Sequence, residues 1–204
     1  MSGFIYNYYV LAGGKKIFLD QAGEEYMMVI ISDDSIGDWG QALEKAFSHA
    51  GTQLVRFTAD TLNIKPCTAC SSCSGKTYGR CVIPDDMQLL LPKIVGCRTL
   101  VLVSPVIFGG VSSHIKKVMD RMSALGNPRY QMRGGELVKG MNIPSLNFYL
   151  VGVGDDLSEA ERSAFLFLNE ENRNIMNVKG RTFILDSSLD KVSLDKIARE
   201  IAHE

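Results

Sequence analysis

Two periods of hydrophobicity take turns along this chain. Residues 26–32 (YMMVIIS) form a continuous apolar run, the pattern of a strand buried on both faces. Residues 38–50 then place Trp39, Leu43, Ala46 and Phe47 at helical spacing, and Gly51 closes that helix. A second strand is expected over 52–58. A helix is expected over 86–95, with Met87, Leu90, Leu91 and Ile94 on one face and Pro92 expected to kink or shorten it. Residues 99–104 (TLVLVS) read as a central strand that Pro105 ends. A helix over 112–125 follows, with Ser112 or Ser113 as its cap. After a glycine-rich loop over 126–143, a strand is expected at 145–151 and a long helix at 158–176. A last strand at 181–186 leads to a helix at 193–202 with Leu194, Ile197, Ala198 and Ile201 inward.

Five strands that alternate with helices predict βαβ units and a parallel sheet. Right-handed crossovers leave few topologies. The expected solution is a flavodoxin-like three-layer α/β sandwich, a five-stranded parallel sheet in the order 2-1-3-4-5. Its ligands sit at the carboxyl ends of strands 1, 3 and 4. Residues 1–25 stand apart from residues 26–204. Within them 4–11 and 16–19 flank Ala12-Gly13-Gly14, the pattern of an extra N-terminal hairpin, with Lys15 and Lys16 in a solvated turn. Its tyrosines call for a cover, so a dimerisation arm is a second reading of it.

The formal net charge is −1, which argues against a nucleic-acid partner or an anionic membrane surface. No apolar run reaches the roughly 18–20 residues of a membrane span, and the first residues show no leader pattern. The expected location is cytoplasmic. In that reducing setting five cysteines point to metal ligands or redox groups before disulfides. Cys67, Cys70, Cys73 and Cys81 follow the spacing Cys-x2-Cys-x2-Cys-x7-Cys. Four thiolates in one loop suit an iron–sulfur cluster. Zinc and metal-free redox thiols are the rivals, although zinc sites favour two separated pairs. Cys97 stands outside the set and reads as a buried apolar residue.

Two blocks carry a resemblance. One is Ile64-Lys65-Pro66-Cys67, then Cys70, Cys73 and Cys81-Val82-Ile83, with Asp85-Asp86-Met87. The other is Ser104-Pro105-Val106-Ile107-Phe108-Gly109-Gly110-Val111-Ser112, followed by Lys116 and Met119-Asp120-Arg121. Together they resemble the iron–sulfur flavoprotein branch of the NAD(P)H-dependent FMN reductase family. The resemblance implies an oxidoreductase that binds FMN beside a 4Fe-4S cluster on Cys67, Cys70, Cys73 and Cys81, with NAD(P)H as a donor. It also implies a homodimer or homotetramer, with a redox protein or a small-molecule acceptor as partner. Pro105, Val106, Ile107, Phe108, Gly109 and Gly110 would contact the flavin ring, and the turn Gly152-Val153-Gly154 would line its pyrimidine side. Where the family has Tyr, this chain has Ile107.

The first loop departs from that pattern. The family cradles the FMN phosphate with a Gly-Ser-Pro-Arg segment at a helix N-terminus. This chain has Ser32-Asp33-Asp34-Ser35-Ile36-Gly37-Asp38, with three carboxylates and no base. A like charge about 6 Å from the phosphate costs about 3 kcal/mol. Either Asp33 and Asp34 point outward while Ser32, Ser35 and the amides hold the phosphate, or Asp34 or Asp38 caps the helix and fills the anion site. A flavin-free binding or redox-sensing protein is therefore the alternative function, and a plain flavin reductase a third. Asp120 and Arg121 read as structural, with Lys116 and Asp120 spaced to pair. Trp39 reads as core, and His49, His114 and His203 as isolated, with only His114 near the ring loop.

Overall fold

The structure is a computed structural model that describes residues 8–11, 15–18, 28–49, 51–141, 143, 146–188 and 191–202. Strands β1 (Tyr8–Leu11) and β2 (Lys15–Phe18) pair antiparallel, with Leu11 opposite Lys15. Lys15 and Lys16 therefore belong to the second strand of the hairpin and not to its turn. The turn residues 12–14 and His203 lie outside the described residues.

The main sheet begins with β3 (Met28–Ser32), followed by α1 (Trp39–His49), β4 (Leu54–Thr58) and α2 (Met87–Gly96). Then come β5 (Thr99–Ile107), β6 (Gly110–Val111) and α3 (Ser113–Arg121), which runs into a 3-10 turn over Met122–Leu125. A hairpin of β7 (Gln131–Arg133) and β8 (Glu136–Val138) interrupts the loop expected over 126–143. The chain closes with β9 (Asn147–Val153), α4 (Glu159–Met176), β10 (Thr182–Leu185) and α5 (Lys191–Ala202). Along the parallel sheet the order is β4-β3-β5-β9-β10, that is, 2-1-3-4-5.

Strand alternation builds two cores. Val29, Ile31, Leu100, Leu102, Phe148 and Leu150 face α2, α3 and α4. Met28, Ile30, Val101, Val103, Tyr149 and Val151 face α1 and α5, where they meet Leu43, Phe47, Leu194 and Ile201. These are the three layers of a flavodoxin-like sandwich. Trp39 belongs to the second core.

Neither Pro92 nor Pro105 ends its element, so the shortening expected at the first and the strand end expected at the second are corrected. Helix α2 runs through Pro92 to Gly96. Proline removes one hydrogen bond there, but Leu90, Leu91 and Ile94 on either side of it are buried against the sheet. Strand β5 likewise runs through Pro105 to Ile107. The Asp33 amide donates to the Val103 carbonyl, so odd positions of β5 face β3. The last β3 partner is Ser32 opposite Val103, so the Pro105 nitrogen faces no partner strand and no ladder bond is lost.

Candidate functional site

The ring loop is a tight hairpin at the carboxyl edge of the sheet. Val106 pairs with Val111 and Ile107 with Gly110, which leaves Phe108 and Gly109 as the two turn residues. Their φ angles are +49° and +75°, the signature of a type I′ turn. Glycine tolerates that backbone; phenylalanine is strained in it. Phe108 is nonetheless 94% exposed, so no burial of its ring compensates. The base of the hairpin is clasped: the Ser112 amide donates to Ser104 Oγ at 2.9 Å, and Ser104 Oγ donates to the Pro105 carbonyl at 2.8 Å. Ser112 Oγ then caps α3 by accepting the Ile115 amide. Val106 and Gly109 are buried, Gly110 is partly covered and Ile107 is half-exposed, so Ile107 and Phe108 form most of the open surface.

Gly152 is not a turn residue. It lies inside β9, where a Cβ would stand 2.5 Å from the Phe165 ring and 2.8 Å from Val106. Its lack of a side chain seats α4 on the sheet. Gly154 follows the strand end.

In the first loop both aspartates turn inward, so the reading with Asp33 and Asp34 outward is corrected. Asp33 is 1% exposed. Its Oδ1 accepts the Ser35 amide, and its Oδ2 lies 3.1 Å from His114 Nδ1. Burial raises the Asp33 pKa, but hydrogen bonds from Ser112, Ser35 and His114 outweigh it and hold the carboxyl below its ordinary value. His114 is thus not isolated. Asp34 Oδ1 accepts the Gly40 amide at 2.9 Å in the first turn of α1. Its Oδ2 accepts from Ser32 Oγ at 3.1 Å and from Arg56 at 3.0 Å. Ser32 is buried in that exchange, and a Cβ on Gly40 would stand 2.0 Å from its Oγ. An internal carboxylate therefore fills the place at the α1 N-terminus where an external phosphate would bind. An FMN phosphate bound there would have to displace the Asp34 carboxylate from the Gly40 amide.

Cys67, Cys70, Cys73 and Cys81 all border one hollow of about 410 Å³, together with Asp120 and Arg121 at the end of α3. Cys67 and Cys70 are exposed, while Cys73 and Cys81 are half-buried. Ala69 and Ser71 flank Cys70 with φ of +52° and +58°. Ser72 hydrogen bonds, from side chain and backbone, lower the Cys70 pKa. Among the described residues no three His, Cys, Asp or Glu side chains stand together as a ready metal ligand set. What the four thiols share is one hollow, with the Arg121 guanidinium on its wall.

That guanidinium is the feature sequence reasoning undervalued. Arg121 and Asp85 have fully buried side chains and form a two-pronged pair at 2.7 and 3.0 Å. Arg121 also donates to the Lys65 and Ile83 carbonyls, just before Cys67 and just after Cys81. Asp85 accepts the Lys65 and Met87 amides. The two ends of the cysteine loop are thereby tied together. Both residues stood in the blocks that carry the resemblance, but their pairing across 36 positions had no local signal. Lys116 and Asp120 pair on the exposed face of α3. Cys97 is buried, its thiol pushed up to about 12 by burial.

A model of the NADPH-dependent FMN reductase family matches residues 38–140. An iron-sulfur flavoprotein of Archaeoglobus fulgidus is 33% identical over 144 residues, 71% of this chain and 68% of that one. One of Methanocaldococcus jannaschii is 39% identical over 74 residues, 36% of each chain. An azoreductase of Bacillus anthracis superposes with a TM-score of 0.59 at 9% identity, covering 87% of this chain and 97% of that one. A flavone reductase does so with a TM-score of 0.58 at 15% identity, covering 86% and 62%. No helix among the described residues is long and apolar enough to cross a membrane.

Proposed function

We propose that this chain, which belongs to the NADPH-dependent FMN reductase family, is an electron-transfer oxidoreductase that couples a flavin to an iron–sulfur cluster. The flavin ring lies on Ile107, Phe108, Gly109 and Gly110, and the cluster is held by Cys67, Cys70, Cys73 and Cys81. A reduced nicotinamide is the donor, and a redox protein or a small molecule is the acceptor. The flavin supplies exchange between two-electron and one-electron chemistry, and the cluster supplies one-electron transfer.

The observation that carries this reading is the position of α3. Ser112, which closes the ring loop, caps its start, and Arg121, which borders the cysteine hollow, ends it. Its nine residues span about 13 Å at about 1.5 Å each. Both relatives named above carry iron-sulfur flavoprotein as their name, which supports the same pairing. Phe167, Leu168 and Ile175 of α4 are exposed apolar residues, as is Phe108. A second copy of the chain would cover them, and a homodimer or homotetramer in the cytoplasm is part of the proposal.

One observation favours a second reading, a flavin-free binding or redox-sensing protein built on the same cysteine loop. It is the carboxylate of Asp34 on the Gly40 amide. Anaerobic purification decides between them. An absorption spectrum with iron, zinc and FMN assays on one sample is expected to give flavin bands and about four irons per chain, the content of a cubane cluster. Iron without flavin, and without affinity for added FMN, selects the second reading. A protein with neither, or with zinc alone, overturns the first.

A further inference from the structure

Among the described residues, the buried side-chain nitrogen or oxygen left without a hydrogen-bond partner is Arg121 Nε. This is an expensive omission, because a buried donor without an acceptor costs about 1–3 kcal/mol, and more on a charged group. The other guanidinium nitrogens are used: Nη1 on Asp85 and Lys65, Nη2 on Asp85 and Ile83. The side chain has no exposure to water that could supply the missing acceptor. It borders the cysteine hollow, with Cys81 on the same wall.

We propose that Arg121 is a positioning residue of the cysteine site, whose Nε–H donates to sulfur at Cys81 once that site is loaded. The inference rests on the cluster reading given above. Three observations meet in it: an unpaired buried donor, a hollow lined by four thiols, and a guanidinium anchored on both flanks of the loop. A fixed N–H donor beside the sulfur, on the positive end of the Arg121–Asp85 pair, favours the more negative, reduced form of a cluster. Arg121 therefore raises the reduction potential as well as placing the Cys81 ligand.

The test uses the full chain reconstituted anaerobically with iron and sulfide. Arg121→Lys keeps a cation but lacks the forked donor, and Arg121→Gln removes the charge. The reduction equilibrium of the cluster is expected to shift at least tenfold toward the oxidised form in Arg121→Gln, equal to 59 mV for one electron, with partial rescue in Arg121→Lys. Because either variant can fail to fold, the wild-type chain grown with 15N-arginine supplies a second readout. Its reduced cluster is expected to show magnetic coupling to a guanidinium nitrogen in pulsed electron spin resonance. Four irons per chain with no such coupling, or a coupling that persists in Arg121→Lys, overturns the inference and leaves the cluster reading intact. A wild-type chain that takes up no cluster overturns both.

Discussion

Asp34 Oδ1 accepts the amide of Gly40 at 2.9 Å and so caps α1 from six residues upstream of it. A carboxylate at a helix N-terminus satisfies the free amides and the dipole, which is the same work that a bound phosphate does. The pair with Arg56 and the hydroxyl of Ser32 fix it there. FMN must displace this carboxylate or bind by its ring alone.

Asp34→Ser removes the competing charge and leaves Arg56 beside the empty place. The dissociation constant for FMN is expected to fall at least tenfold, while that for riboflavin, which lacks the phosphate, stays the same. Loss of the cap costs about 0.5–2 kcal/mol of stability, read as a lower denaturation midpoint. Fluorescence titration of both flavins checks it. Equal changes for the two would mean that Asp34 does not guard the phosphate position.

Asp85 and Arg121 form the buried ion pair that shuts the cysteine loop. Removing one member leaves a buried charge, so Asp85→Asn is expected to cost about 3–5 kcal/mol. The pH dependence has a definite sign. Burial raises the Asp85 pKa, yet Arg121 and the amides of Lys65 and Met87 bring it below the ordinary carboxylate value of 3.8. Asp33 is lowered in the same direction by its own hydrogen bonds. A group with a depressed pKa in the folded state contributes its full stability above the unfolded value and loses it as pH falls through the folded one. The contribution is therefore whole above about pH 5 and fades below about pH 4. Urea midpoints between pH 3 and pH 6 are expected to drop at the acid end in the wild type, and to drop less steeply in Asp85→Asn.

The fold was legible because each strand of the sheet carries a short apolar run and each helix its own spacing. Ser158 and Glu161 even announce α4 through a capping box. What misled was local: the Pro105 nitrogen has no partner strand to lose, and at Pro92 the buried residues on either side carry the helix past one missing hydrogen bond. The β7–β8 hairpin was missed because its positions 131–138 are nearly all exposed and carry no alternation toward a core. The four cysteines and the ring loop were read from spacing. The partners of Asp33, Asp34 and Arg121 were not, because His114, Arg56 and Asp85 lie 81, 22 and 36 positions away. Sequence showed an excess of acid in the first loop; only the topology shows which base each acid meets.

Cys97 offers a check on the thiols. It is buried, its Sγ donates to the Ile94 carbonyl at 3.2 Å, and its pKa is raised to about 12. The thiolate is the reactive form, so Cys97 is expected to resist iodoacetamide at pH 8 until the chain unfolds. Cys67 and Cys70, both exposed, are expected to be alkylated within minutes in metal-free protein. Mass mapping of labelled peptides with and without urea reads the difference. Labelling of Cys97 in the folded chain at the rate of Cys67 would place it outside the core.

Gly109 links the ring loop to α4. Its φ of +75° already disfavours any side chain, and a Cβ there would stand 2.9 Å from Ala164 Cβ and 3.3 Å from the Glu161 carbonyl. Gly135, in the β7–β8 turn, has a φ of +88° but open space around it. Alanine at either position carries backbone strain of about 1 kcal/mol or more. Only Gly109→Ala must also push the loop off α4. Its thermal midpoint is expected to fall further than that of Gly135→Ala, and its affinity for riboflavin to fall while Gly135→Ala keeps the wild-type value. Riboflavin is the better probe here, since it reports on the ring without involving Asp34. If both variants bound riboflavin alike, the hairpin of Phe108 and Gly109 would not be the ring-binding surface, and the exposure of Phe108 would need another partner to explain it.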